Sequence, residues 1–148
     1  MTSDLENHLG YWLRFVSNHV SHAFSLKLQA RDVTVAEWVV LRELFDLADI
    51  QPSALADRLG MTRGAISKLA DRLAAKELVR RTASIEDRRQ QTLSLTDDGR
   101  TLVPNLAELA DRNDAEFFGH LEPAERAALE NALKEIVRRH DLKTIPTE

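Results

Sequence analysis

The sequence predicts a mainly helical fold with one small β-hairpin. Apolar residues recur at spacings of three and four along six segments, as they do in helices that bury one side. After Glu77 the spacing changes to two, which is typical of half-buried strands. The chain has 148 residues, of which 43% are hydrophobic and 30% charged. This composition and length indicate one folded globular domain.

Capping residues mark where each helix starts and stops. The first helix is expected at residues 4–28, and the second follows Thr34, which completes a capping box with Glu37. A short third helix begins at about Ser53 and ends before Gly60. The remaining helices are expected at residues 63–77, 97–119 and 123–140, and their start signals are Thr62, Thr96 and a first-turn Pro123.

The third and fourth helices, with the hairpin, form a recognisable unit. Residues 53–77 have the helix-turn-helix layout, whose second helix enters the major groove of DNA. Two strands, at 78–82 and 91–95, follow around a charged tip, and a hairpin in this position makes a winged helix-turn-helix. One domain, 1–148, is therefore expected, with the winged helix-turn-helix lobe at about 33–96. The helices at about 4–28 and 97–145 then form a dimerisation region from both termini.

The charge of the chain is unevenly distributed. The net charge is −4, but the segment from Arg58 to Thr96 has nine basic and four acidic residues. That segment carries +5 and the remainder −9. A basic block within an acidic chain is typical of a nucleic-acid-binding surface, but charge alone favours the alternative, a solvated surface of uneven charge.

The predicted DNA contacts lie on the exposed face of the fourth helix and at the hairpin tip. Arg63 or Lys68 can bind guanine, and Ser67 can bind a base or a phosphate. At the tip, an aspartate can orient a neighbouring arginine into a narrow minor groove. The full set of predicted contacts is Ser53, Thr62, Arg63, Gly64, Ser67, Lys68, Arg72, Asp87, Arg88 and Arg89. The alternative is an ordinary helix pair with a solvated face.

Two segments resemble the multiple antibiotic resistance regulator (MarR) family. Asp87 to Gly99, DRRQQTLSLTDDG, is similar to the family's wing signature D-x-R-x-x-x-L-x-L-T-x-x-G, and Leu55 to Leu73 resembles its helix-turn-helix. The resemblance implies a homodimeric transcriptional regulator, usually a repressor, that binds pseudo-palindromic double-stranded DNA near promoters. It also implies that the first, fifth and sixth helices interlock between subunits. Glu77 departs from the family, which often has glycine there.

The terminal helices independently predict a homodimer. Leu129, Leu133, Ile136 and Val137 recur at helical spacing in the last helix, and further apolar residues lie beyond it. A single chain has little to cover this stripe, and symmetric DNA recognition requires two half-sites. The alternative is that these helices pack only within one chain.

The family resemblance further implies a pocket for a small aromatic or phenolic acid. It would lie where the first, second and fifth helices meet the DNA-binding lobe. Trp12, Phe15 and His19 share a stripe of the first helix, and Trp38 and Arg42 of the second helix are expected to line the same space. The alternative is that these side chains make ordinary packing contacts.

Several other function classes lack support in the sequence. There is no cysteine, which excludes disulfides and sensing by thiol oxidation. No metal site or cofactor is expected, because His19 and His22 have no carboxylate at ligand spacing. No catalytic motif is present, so a non-enzyme is expected. No apolar run is long enough for a membrane helix, which favours a cytoplasmic protein without a membrane partner. A winged-helix module that binds a protein is the alternative function, but the cationic face favours DNA.

Overall fold

The structure, a computed structural model, describes residues 1–83 and 90–143 and has the predicted fold class. The described part of the chain contains six α-helices and one antiparallel hairpin. In chain order the elements are α1 (Leu9–Gln29), α2 (Val35–Phe45), α3 (Pro52–Leu59), α4 (Arg63–Ala75), β1 (Val79–Ala83), β2 (Gln91–Leu95), α5 (Asp97–Phe118) and α6 (Pro123–Arg139).

The first helix begins later than residue 4, where the sequence predicted its start. A short 3₁₀ turn spans Leu5–Asn7, and His8 has extended backbone angles before α1 begins. The indole nitrogen of Trp12 donates a hydrogen bond of 2.9 Å to the carbonyl oxygen of Glu6. In a continuous helix that oxygen would accept from the backbone of residue 10, so the Trp12 contact accompanies the break.

The fourth helix ends at Ala75, two residues before the predicted end. Glu77 has φ 62°, in the left-handed region. Its N–H donates to Ala74 O and that of Leu78 donates to Leu73 O, both at 3.0 Å. These two bonds form a Schellman motif, which normally has glycine at the left-handed position. The departure from glycine therefore places a residue with a side chain in a strained conformation.

Glu77→Gly should raise the free energy of unfolding by about 1 kcal/mol, because glycine adopts positive φ without a steric penalty. Urea denaturation of the two proteins measures the change. The matched control is Ala75→Gly, within the same helix, which should lower stability by about 0.5–1 kcal/mol. A loss of stability in Glu77→Gly would show that the left-handed residue is not strained.

The hairpin has a third partner that the sequence did not indicate. Strands β1 and β2 pair antiparallel, with Val79 opposite Leu95 and Arg81 opposite Leu93. Ile50 then bridges Leu93 through two backbone hydrogen bonds, of 2.8 and 3.0 Å. One paired residue shows no alternation of polar and apolar positions, which is why the pattern could not reveal it. The bridge attaches β2 to the segment that precedes α3.

The part of the wing signature that lies in β2 and in the first turn of α5 has a structural explanation. Leu93 and Leu95 are buried, and the hydroxyl of Thr96 caps α5 by accepting from the N–H of Gly99. A Cβ atom on Gly99 would lie 2.3 Å from the carbonyl oxygen of Leu78. Only glycine permits this close approach of α5 to the start of the wing.

The buried core lies in the middle of the chain. It runs from Leu28 to Leu106 and joins α2, α3, α4, the hairpin and the first half of α5. Among the described residues, α6 has no buried side chain, and Leu28 is the one buried residue of α1. The terminal helices therefore extend from the core with most of their surface uncovered.

A polar contact anchors the second half of α1 on α5. Asn113 is buried, and its amide donates to the carbonyl oxygen of Val20 at 3.2 Å. Lys27 donates to Asn113 Oδ1 at 3.0 Å and to Glu116 at 2.7 Å. Because buried polar groups are costly when unpaired, this set of bonds favours one register of α1 along α5.

Candidate DNA-binding surface and ligand site

The helix-turn-helix is held from inside by a continuous apolar stripe. Ile66, Leu69, Ala70 and Leu73 of α4 are buried, and α3 contributes Leu55 and Ala56. Gly60 ends α3 in the left-handed conformation, at φ 64°. Thr62 then caps α4 by accepting a hydrogen bond of 3.1 Å from the N–H of Ala65. The opposite side of α4 is therefore fixed toward solvent.

Most of the predicted contacts on α4 share this outer face. Arg63, Gly64, Ser67 and Lys68 are exposed, and Thr62 is exposed at the helix start. Ser53 is half-buried in the first turn of α3. The predicted hairpin-tip contacts, Asp87, Arg88 and Arg89, lie outside the described residues. Small side chains beside two cations allow the helix backbone to come close to base edges.

Arg72 does not share the environment of the other predicted contacts. Its guanidinium lies 3.2 Å from Glu37 Oε1 and 3.5 Å from the hydroxyl of Thr34. Helical geometry places it about half a turn around α4 from Arg63. Arg72 thus joins the recognition helix to the start of α2, and this contact, 35 residues apart in sequence, had no signal in the pattern.

Glu37 is the centre of that junction and is completely buried. Its carboxylate accepts from the N–H of Thr34 at 2.8 Å, and Thr34 Oγ1 accepts from the N–H of Glu37, which confirms the predicted capping box. Lys76 Nζ lies 3.0 Å from Glu37 Oε2 and donates to Asp32 O at 2.6 Å. Burial alone would raise the pKa of Glu37, but the hydrogen bonds from Thr34 and Lys76 outweigh it and lower the pKa.

Glu37→Gln should lower the free energy of unfolding by about 2 kcal/mol at neutral pH, because two cations lose a buried partner. Since the pKa of Glu37 is lowered by folding, its stabilisation is complete above the ordinary carboxyl range and decreases as pH falls below about 4. Chemical denaturation across this range should therefore show the two proteins converging in acid. The control is Glu43→Gln, on the same helix in an exposed pair with Arg58, with an expected change within about 0.5 kcal/mol. A constant difference at every pH would contradict the role of the charge.

Arg81, which the sequence patterns did not single out, connects the wing to α4. Its Nη2 donates to the carbonyl oxygen of Ser67 at 3.0 Å and lies 2.9 Å from Asp71 Oδ1. Both acceptors are on α4, one helical turn apart. The two adjacent arginines of β1 lie on opposite faces of the strand, and Arg80 is exposed whereas Arg81 is half-buried.

The predicted ligand residues do not form a single pocket within one chain. Trp38 packs edge-on against Phe24, with ring centroids 6.2 Å apart, and Arg42 pairs with Asp46 and lies over Phe45. Phe15 and His19 stack on each other on the exposed side of α1, at 5.1 Å. Trp12, in contrast, lies near the start of α1. Trp12 precedes Phe24 by 12 residues on α1, or about 18 Å along the helix axis, so it lies apart from the Phe24–Trp38 contact.

Trp12 instead lines a large apolar groove formed by α1, α5 and α6. The groove has a volume of about 650 Å³ and is lined mostly by aliphatic and aromatic side chains. Its exposed apolar residues include Leu13, Val16, Leu129 and Leu133, each at least 40% exposed. An apolar surface of this extent is typical of an interaction site, and it uses the three helices expected to interlock in a dimer.

Within residues 1–83 and 90–143, no helix is long and apolar enough to cross a membrane. The same residues contain no group of three histidines and carboxylates placed to hold a metal ion.

The fold and the exposed, cationic face of α4 define a winged helix-turn-helix DNA-binding protein. Residues 31–90 match the sequence profile of the MarR family. A protein of Thauera aromatica, named as a putative transcriptional regulatory protein for the hcr operon, is 30% identical over 74% of this chain and 70% of its own length. A MarR variant of Escherichia coli in complex with operator DNA has a TM-score of 0.81 at 29% identity, covering 91% of this chain and 99% of that one. Bordetella bronchiseptica BpsR has a TM-score of 0.82 at 26% identity, covering 92% and 97%.

The chain belongs to the MarR family and is a DNA-binding transcriptional regulator. The relatives are transcriptional regulators rather than enzymes.

Proposed function

We propose that this protein is a repressor that binds a pseudo-palindromic operator as a homodimer and has no catalytic activity. The observation that most directly supports this proposal is the exposed face of α4, where Arg63, Ser67 and Lys68 lie opposite a buried stripe. The structural relative MarR was determined with operator DNA, which supports the same use of this surface here. Acting on DNA in a bacterial cell, the protein would work in the cytoplasm.

In the proposed complex, α4 enters the major groove and the wing approaches the adjacent minor groove. Arg63, Gly64, Ser67 and Lys68 contact bases or phosphates, with Thr62 and Ser53 near the backbone at the two helix starts. Arg88 or Arg89, oriented by Asp87, contacts the minor groove. Arg72 has a supporting role, because its guanidinium already lies against Glu37.

The test is selection of bound duplexes from random-sequence DNA, followed by affinity measurements on the selected site. Ser67→Ala and Lys68→Ala should each lose about 1–3 kcal/mol on that site and relax the sequence preference. Lys134→Ala removes the same charge as Lys68→Ala from exposed α6 and should leave affinity nearly unchanged. Equal losses on selected and random DNA would show that α4 provides only non-specific attraction.

We further propose that a small aromatic acid releases the DNA. BpsR is a relative whose DNA binding is regulated by 6-hydroxynicotinic acid, and it matches nearly the whole of this chain. The candidate contacts are Trp12, Phe15 and His19 on α1, and Trp38 and Arg42 on α2. Because the two groups are separated within one chain, a shared site requires the partner subunit's helices. Tryptophan fluorescence titrated with hydroxylated aromatic acids tests this, and a releasing acid whose affinity is unchanged in Trp12→Ala, His19→Ala and Trp38→Phe would contradict the placement.

A further inference from the structure

Arg81 lies in the middle of β1, on the strand face that points toward the helix-turn-helix. It shares that face with buried Val79, while Arg80 between them is exposed on the other side. Leu93, opposite Arg81 on β2, is fully buried. The aliphatic part of Arg81 therefore runs over the edge of the core, and its charged end reaches α4.

The guanidinium binds two groups on the DNA-facing side of α4. It donates to Ser67 O at 3.0 Å and pairs with Asp71 Oδ1 at 2.9 Å. Ser67 is itself a proposed DNA contact, and Asp71 is exposed one turn further along the same face. Both contacts use the same terminal nitrogen, Nη2, which joins two acceptors that lie one turn apart on α4 and so restrains the strand more strongly than one contact would.

Asp71 would oppose DNA binding if it stood alone. It is the only acidic residue in the sequence of α4, and it lies beside the cations that are proposed to meet phosphate. Arg81 lies within contact distance of that carboxylate, so the local charge is balanced. Attraction between cations and phosphate therefore does not explain why this carboxylate–guanidinium pair lies on the proposed DNA-facing side of α4.

We propose that Arg81 is a positioning residue for DNA recognition, which ties the first wing strand to the DNA-facing side of α4 through Ser67 O and Asp71. This contact fixes the angle between α4 and the wing, so that α4 enters the major groove while the wing reaches the adjacent minor groove. This proposal rests on the proposed function, since it assumes that both elements contact one duplex. Groove spacing is set by the DNA, so freedom at this joint weakens specific binding more than non-specific binding.

The experiment uses the full-length protein and a duplex that the wild type selects from random-sequence DNA, with an unselected duplex for comparison. Arg81→Ala should lose about tenfold in affinity for the selected duplex, with a smaller loss on the unselected one. Arg80→Ala removes the same charge from the neighbouring position and serves as the matched control. Arg81→Lys keeps the charge but lacks the planar guanidinium that reaches both acceptors, and it should recover only part of the affinity.

Asp71→Ala separates positioning from simple electrostatics. If Asp71 only repels phosphate, its removal should tighten binding to both duplexes equally. The tie predicts instead a lower ratio of selected to unselected affinity, and no further loss when Asp71→Ala is combined with Arg81→Ala. Hydrogen exchange without DNA should show faster opening of the β1 and β2 amides in Arg81→Ala than in Arg80→Ala.

If the wild type selects a sequence, but Arg81→Ala and Arg80→Ala lose the same affinity for it, the positioning role of Arg81 is contradicted. The proposed function is not affected by that result. Unchanged exchange at the hairpin would also overturn the positioning role. A wild-type protein that enriches no sequence would contradict the proposed function and, with it, this inference.

Discussion

Leu133→Arg is expected to convert a dimer into a folded monomer and to lower operator affinity by about 10²–10⁴-fold. The side chain lines the apolar groove between α1, α5 and α6 and is 40% exposed in the single chain. An arginine there has access to water in the monomer, but in a symmetric interface two charges would lose their hydration without partners. Binding with one lobe then lacks the high effective concentration that a second, linked lobe provides.

Analytical ultracentrifugation and DNA titration measure these two effects. The control is Asn131→Arg, which places the same side chain on the opposite side of α6 and should leave both dimer and affinity nearly unchanged. Circular dichroism should show the same helix content in both variants. A dimeric Leu133→Arg with full DNA affinity would mean that this groove does not form the subunit interface.

Raising the salt concentration from about 50 to about 200 mM is expected to lower DNA affinity by about 10³–10⁵-fold, although the protein is acidic overall. The net charge of −4 includes a segment of +5 that contains α4 and the wing, so DNA bound in the proposed way would meet a basic segment. If the dimer neutralises about six to ten phosphates, the counterions released from the DNA account for this slope. The net charge of the whole protein is a poor guide to DNA affinity, because salt screens charges that lie more than about 10 Å apart.

Fluorescence anisotropy on the selected duplex across this salt range provides the measurement. Lys68→Ala should make the slope of log affinity against log salt concentration shallower, by about one for each phosphate that the dimer no longer neutralises. An interface formed by the apolar groove should change little over the same range, so the oligomeric state is the internal control. A flat response would favour the alternative function, a winged-helix module that binds a protein.

The sequence determined the order of elements and the outer face of α4, because both depend on local patterns. Thr34, Thr62 and Thr96 each cap the predicted helix, and Gly60 ends α3 in the left-handed conformation. The stripe from Ile66 to Leu73 is buried as its spacing predicted, which leaves Ser67 and Lys68 outside. A helix period relates neighbours along one chain, so these results required no knowledge of distant residues.

Contacts between residues far apart in sequence depended on the tertiary structure. Strand alternation separates Arg81 from Arg80, but nothing local shows that Arg81 meets Asp71 or that Glu37 meets Lys76 until the strand and the helices pack. For the same reason, the periodicity of α1 could group Trp12, Phe15 and His19 but could not show that Trp38 packs on Phe24 instead. Arg72 likewise had the spacing of a DNA contact, whereas the buried carboxylate of Glu37 lies against its guanidinium. Helical spacing specifies which side of an element a residue occupies, and only packing determines which groups it meets there.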